Sequence, residues 1–188
     1  MPLGRFLEDV WLPAIEPTVR ATTFVNYRSH VLHQIGSRLG DLSLEELDGP
    51  KLNLFYAQLA ADGRVDGKGG LSPASVRRIH ATLHRALREA VRWGYLSDNP
   101  ADRCDPPKVR ADGFVEMKTW DAAELRHFLE SVADDSLYPL WLLLAMTGMR
   151  RGEALGLRWM DLDLERAQLS VRQTLVPIGG RGSWPSMT

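Results

Sequence analysis

Two sets of residues have types and spacings suited to chemistry on charged oxygen. The first lies in Leu144-Ala145-Met146-Thr147-Gly148-Met149-Arg150-Arg151-Gly152-Glu153-Ala154-Leu155-Gly156-Leu157-Arg158-Trp159-Met160-Asp161. An apolar run stops at Thr147-Gly148, Arg150 follows at the turn, and Glu153 comes three residues later. Ala154, Leu155 and Leu157 flank the acid, so a helix starting near Arg151 packs on one side and Arg150 reads as buried. A guanidinium and a carboxylate one helical turn apart suit two roles. One is a structural ion pair capping a helix junction; the other is an arginine held rigid to grip a phosphate. The second set is Arg77, Arg78, Arg85, Arg88 and Arg92, with Glu89 as the only nearby acid. Guanidinium groups bind phosphates and guanine edges bidentately, so this set suits a DNA groove, with a merely solvated face as the plainer reading.

The elements that must position these groups follow from caps and periodicity. Phe6, Leu7, Val10 and Trp11 predict a short amphipathic helix ending at Pro13. Thr22 or Thr23 caps a second helix running to Ile35, with Phe24, Tyr27, Val31 and Ile35 on one face. Gly40 to Leu47 reads as a turn plus a helical turn. Asp48 before Pro50 opens a third helix that buries Leu52, Phe55, Tyr56 and Leu59. Gly63 to Gly70 is a flexible glycine-rich loop. Ser72-Pro73 caps the fourth helix, which runs to Trp93 and stops at Gly94. At about 100° per residue, Val76, Ile79, Leu83, Ala86, Leu87, Ala90 and Val91 fall on one side and the five arginines on the other. Asp98-Asn99-Pro100 closes this region. Asp121 then caps a further helix in a capping box with Glu124, burying Leu125, Phe128, Leu129 and Val132. Leu137 to Met146 predicts a central helix, and Ala167 to Val176 alternates as a half-buried strand. Gly179-Gly180 and the tail to Thr188 show no element.

Composition sets bounds on function. The 188 residues are 44% hydrophobic and 25% charged, ordinary for a globular protein large enough to bury a core. A net charge of -1 creates no global field toward nucleic acid, so any DNA-binding groups must be locally concentrated. One cysteine, Cys104, excludes an internal disulfide and a cysteine metal cluster, and no histidine is its sequence neighbour. No signal-peptide core or membrane-spanning run is evident, so a cytoplasmic, nucleoid-associated protein with no membrane partner is expected.

The stretch around Arg150 resembles the first catalytic motif of the tyrosine recombinase (phage integrase) family. There a Thr-Gly-x-Arg turn is followed by an acid and then by Leu-x-Trp-x-Asp, as in Leu157, Trp159 and Asp161 here. The first 107 residues resemble the family's helical core-binding domain. The matching features are Phe6-Leu7 with Trp11-Leu12-Pro13, Thr23 with Tyr27 and Arg28, and Leu39-Gly40-Asp41. Leu71-Ser72-Pro73 with Val76 to Ile79, and Ala90 to Gly94 with Asn99-Pro100-Ala101, complete the set. The resemblance implies a mainly α fold, with a four-helix SAM-like core-binding domain at residues 1–107 and a linker at 108–118. Residues 119–188 would hold the helical start and first strand or strands of an α+β catalytic domain.

The resemblance also implies a chemistry. A tyrosine hydroxyl attacks the scissile phosphodiester, giving a 3′-phosphotyrosyl link, and neither ATP, metal nor other cofactor is required. Arg150 falls on the first transition-state arginine and Glu153 on the acid supporting the network. The implied partner is double-stranded DNA at an attachment or recombination site, on which full-length family members act as tetramers across two duplexes. Candidate DNA contacts are Thr22, Thr23, Tyr27, Arg28, Ser72, Ser75, Arg77, Arg78, Arg85, Arg88 and Arg92.

The family also needs a lysine, a His-x-x-Arg motif and the tyrosine nucleophile after the first arginine. Here Lys118, His127 and Tyr138 are the last of their kinds and all precede Arg150, and Trp184 maps to no family position. The expectation is therefore a truncated recombinase that binds DNA without cutting it, whether from a fragmentary gene, a frameshift or deliberate shortening. A non-catalytic DNA-binding regulator or interfering fragment is the alternative.

Overall fold

A computed structural model describes residues 1–108 and 118–176, and the chain divides into two compact units, Met1–Phe114 and Val115–Thr188. The described residues are mainly helical. The predicted linker at 108–118 lies almost wholly outside them, as do Trp184 and the tail from Gly179.

Unit 1 is built from four helices. Helix α1 spans residues 3–15 and passes through Pro13, which sequence reading makes its end. It does so because Phe6–Trp11 is a π turn, in which the Leu12 N–H reaches back five residues to the Leu7 carbonyl. The widened turn lets Pro13 sit in the first turn of the segment Leu12–Ile15, where its missing N–H and its ring do little harm. Helix α2 spans 21–39 and contains a second π turn, Val31–Ile35. It begins two or three residues earlier than expected, with Arg20 in extended conformation as the N-cap, and neither Thr22 nor Thr23 caps it. It also runs past Ile35 to Leu39, since the Gly36 N–H continues the ladder to Val31.

The next two helices match their sequence signals closely. Asp48 accepts the Lys51 N–H at 2.8 Å and opens α3, Gly49–Asp62. Ser72 accepts the Ser75 N–H at 3.2 Å and opens α4, Pro73–Arg92, after which Gly94 takes a left-handed φ of 79° and ends the helix. Leu3, Phe6, Leu7 and Trp11 of α1, Val31 and Ile35 of α2, and Leu52, Phe55 and Leu59 of α3 form the core with Val76, Ile79, Leu83, Ala86, Leu87 and Ala90 of α4. Val91 is half-buried, at the edge of that stripe.

A short 3₁₀ segment, Pro100–Arg103, folds back on α3 and α4. Asn99 donates to the His84 carbonyl, and the Asp105 N–H donates to Asn53 at 2.8 Å. This return brings Cys104 to 3.8 Å from His80 Nδ1 and 3.6 Å from the Tyr56 hydroxyl, so the cysteine does have a histidine beside it. The proximity joins residues 24 apart and has no local sequence signal. Its thiol donates to the Ala101 carbonyl and burial raises its pKa, which suits packing and not nucleophilicity.

Unit 2 starts with α5, Ala122–Ser131, whose Asp121–Glu124 capping box forms as expected. Helix α6, Tyr138–Thr147, packs on it through an edge-to-face contact of Phe128 with Trp141 at 6.1 Å. Leu125, Phe128, Leu129 and Val132 are only half-buried, because the described residues offer them too few apolar partners. Gly148 (φ 66°) turns the chain into α7, Arg151–Leu155.

The expected strand at 167–176 is much shorter. Only Gln168–Leu169 (β2) pairs, antiparallel, with Leu162–Asp163 (β1). Beyond it the chain crosses α7 in extended form, with the Leu175 N–H on the Gly152 carbonyl at 2.9 Å and Gln173 donating to the Gly156 carbonyl. A Cβ on Gly152 would lie 2.6 Å from the Leu175 carbonyl oxygen, and one on Gly156 2.9 Å from that of Gln173. Alternation along 170–176 therefore reflects backbone docking on a helix and not sheet pairing.

Candidate nucleic-acid interface

The arginines of α4 occupy the arc opposite its buried stripe. Arg77, Arg78, Arg88 and Arg92 are exposed and Arg85 is half-buried. Among the described residues, Arg28, Arg77, Arg78 and Arg88 have no carboxylate within salt-bridge distance, while Arg92 is paired with Glu89. Positive charge with so few local counter-ions is what a polyanion surface requires.

Helix α2 joins this arc through two contacts. Arg85 Nη1 donates to the Tyr27 hydroxyl at 2.9 Å, with its guanidinium 5.5 Å from the centroid of that ring, and Trp11 packs on the same ring. One turn further, His30 Nδ1 and Thr82 Oγ1 are 2.8 Å apart. Thr82 donates its proton to the Arg78 carbonyl, so His30 is the donor of the pair. Burial, then the neighbouring Arg78 charge, lower the His30 pKa and keep it neutral.

The structure thus brings Tyr27 together with Arg85 of α4. Thr22 and Thr23 are half-buried in the first turn of α2, and Arg28 is exposed beside Tyr27 in sequence. Ser72 and Ser75 close the N-terminus of α4, their hydroxyls 3.0 Å apart. The side chains of these two serines and of the α2 threonines are part of helix starts, whatever else they touch.

In unit 2, Arg150 differs from its sequence expectation. Its side chain is 86% exposed and Glu153 is the buried partner, at 19%. Arg150 Nη1 donates to Glu153 Oε1 at 3.0 Å, and the Arg150 backbone N–H donates to Oε2 at 2.9 Å. These bonds, the backbone one foremost, lower the Glu153 pKa. The pair therefore caps α7 as a structural ion pair, and most of the Arg150 guanidinium faces outward. Arg150 is exposed because the turn at Gly148 places it at the helix entrance, ahead of the packed residue Ala154.

Sequence reading places Asp161 at the end of the Leu-x-Trp-x-Asp stretch and gives it no structural partner. Its side chain is 2% exposed and accepts two bonds from Arg158, at 2.8 and 3.0 Å, with Arg172 at 3.6 Å. The Arg158 hydrogen bonds hold its pKa below the usual carboxylate range. The i,i+3 spacing of Arg158 and Asp161 could have flagged this anchor, in the way that it flagged Arg150 and Glu153. Among the described residues no group of three or more potential metal ligands converges, and no helix is long and apolar enough to cross a membrane.

No family model matches the chain. It is 27% identical over 180 residues to a tyrosine recombinase XerC-like protein of Caldanaerobacter subterraneus subsp. tengcongensis, covering 92% of this chain and 44% of that one. It is 28% identical over 191 residues to tyrosine recombinase XerC of Xanthomonas campestris pv. campestris, covering 91% and 56%. The chain thus spans about half the length of these curated relatives. Among solved structures, the Tn1549 transposon integrase bound to a circular-intermediate DNA superposes with a TM-score of 0.75 at 20% identity, covering all of this chain and 58% of that one. A lambda integrase dimer bound to a COC′ core site superposes at 0.69 and 23% identity, covering 87% and 43%. At these identities the two structures speak for the fold.

Proposed function

Because the chain belongs to the tyrosine recombinase (integrase) family, we propose that its residues 1–107 are a core-binding domain that grips double-stranded DNA. In the same proposal, residues 108–118 are a linker and residues 119–188 are the opening part of a catalytic domain. The observation that carries the grip is the arginine arc of α4, almost free of acid and buttressed from α2 by the Arg85–Tyr27 bond. Arg77, Arg78 and Arg88 contact phosphates, and the α2 residues from Thr22 to Arg28 extend the footprint. Arg150, anchored through Glu153, presents N–H donors to the non-bridging oxygens of a scissile phosphate, where they would neutralise developing charge. The site is an attachment or recombination sequence on DNA in the cytoplasm.

Within these 188 residues no lysine, histidine or tyrosine follows Arg150. The 188-residue polypeptide therefore binds DNA and leaves its strands intact. Fluorescence anisotropy with a labelled duplex, repeated over a series of salt concentrations, tests the binding. Each neutralised phosphate adds roughly 0.9 to the log–log salt slope. Affinity that is indifferent to salt refutes the grip. A nicked-duplex assay that traps a covalent protein–DNA adduct with this polypeptide refutes the absence of cleavage.

A further inference from the structure

Glu89 interrupts the arginine arc, and by charge alone it opposes a polyanion there. Its surroundings assign it another task. The Glu89 side chain is only 18% exposed, whereas its partner Arg92 is 68% exposed. Arg92 Nη2 lies against Glu89 Oε2 in an ion pair whose acid is the more buried partner. The Arg92 guanidinium also lies 5.9 Å from the centroid of the Trp93 ring, which holds it from the other side.

Behind this pair is a small cavity of about 60 Å³, whose walls include Trp11, Thr18, Arg85, Glu89, Arg92 and Trp93. Trp11 Nε1 is a buried donor with no hydrogen-bond partner among the described residues, and Glu89 Oε2 on the same cavity is an acceptor. One water needs about 10–15 Å³ of such space, so the cavity is polar and roomy enough for a water linking the indole N–H to the carboxylate. Trp11 packs in turn on Tyr27, which holds Arg85. Two arginines of the arc thus border this one cavity, Arg85 bonded to Tyr27 and Arg92 paired with Glu89.

We propose that Glu89 is a positioning residue of the basic face, holding Arg92 in the orientation that meets a phosphate. The proposal rests on the DNA-binding reading of that face. It predicts an effect opposite in sign to simple charge removal. Taking an acid off a DNA-facing surface, by itself, strengthens binding. Glu89→Gln, nearly identical in shape, instead weakens it, because Arg92 is released.

The experiment pairs two readouts on the 188-residue protein, with thermal unfolding to confirm folding. Nitrogen-15 NMR of arginine Nε–H groups, in the free protein, shows an ordered Arg92 guanidinium in wild type and a mobile one in Glu89→Gln. Anisotropy with a mixed-sequence duplex shows several-fold weaker binding for Glu89→Gln and a salt slope shallower by about 0.9, one phosphate contact. In an Arg92→Gln background, Glu89→Gln then changes neither quantity further. Equal Arg92 order in both proteins overturns the proposal, as does binding that is unchanged or tighter, or additivity with Arg92→Gln. Loss of Arg92 order in Glu89→Gln together with no salt-dependent DNA binding by wild type upholds the positioning and refutes the DNA reading instead.

Discussion

Replacing Arg77, Arg78 and Arg88 together with glutamine isolates the exposed, uncompensated part of the basic face. All three side chains are exposed and none has a carboxylate within ion-pair distance among the described residues. Their removal thus deletes charge without breaking a side-chain hydrogen bond or ion pair among the described residues. If each meets one phosphate, the plot of log affinity against log salt becomes shallower by about 2.7, three times roughly 0.9. Over a fourfold rise in salt, from about 50 to 200 mM, each contact accounts for about a 3.5-fold loss of affinity. Wild type therefore loses about 40-fold more affinity than the triple variant across that range. The assay is fluorescence anisotropy on a duplex at five or more salt concentrations, with circular dichroism to show that both proteins are folded. Arg85→Gln makes the informative contrast: it breaks the bond to Tyr27, so its unfolding temperature falls as well. A triple variant that keeps the wild-type slope while remaining folded would refute the assignment of this face.

Leu83 is fully buried at the centre of α4, and Leu83→Ala should destabilise unit 1 by about 2–5 kcal/mol in urea unfolding. Gly148 sits at φ 66°, and Gly148→Ala should cost about 1 kcal/mol and loosen the junction of α6 and α7, read by amide hydrogen exchange there. Burial lowers the pKa of both His30 and His80, so each binds its proton less readily folded than unfolded. Their contribution to stability is complete above the unfolded histidine value of about 6.5 and is lost as pH falls through the lowered folded values. A thermal midpoint that drops as pH goes from neutral toward 5, and drops less in His30→Gln, is the expected result; a flat profile in that window refutes it.

What sequence reading captured was local. Asp48 with Pro50, Ser72 with Pro73, and Gly94 delimit α3 and α4 because a cap, a proline and a left-handed glycine act within four residues of themselves. The same holds for Asp121 with Glu124, and for the Arg150–Glu153 pair, whose spacing alone announced an interaction. What stayed hidden depends on distant partners or on a departure from ideal geometry. Pro13 ends a regular α-helix but not one widened by a π turn. The alternation along 167–176 looks the same whether a strand pairs with another strand or lies over Gly152 and Gly156 of α7. The cluster of Tyr56, His80 and Cys104 joins three elements, and its Tyr56–His80 bond of 2.9 Å has no signature along the chain. Exposure of Arg150 misled because flanking apolar residues report the helix that follows it, not the turn on which it sits.

The π turns of α1 and α2 bear on how this domain can change length. Each accommodates one residue more than a regular turn, and each residue of an α-helix carries about 100° of rotation. In α1 that surplus residue acts as a phase correction, letting Leu3, Phe6, Leu7, Trp11, Leu12 and Ile15 all reach the core despite the drift of a 3.6-residue repeat. Deleting one residue between Phe6 and Trp11 would remove the surplus and leave a regular helix, with the two aromatic residues four positions apart and still about 40° from each other around its axis. Trp11 and Phe6 could then both remain inside, and Trp11 would keep its place under Tyr27. At this place the domain is more sensitive to the identity of its residues, Phe6 and Trp11 above all, than to their number.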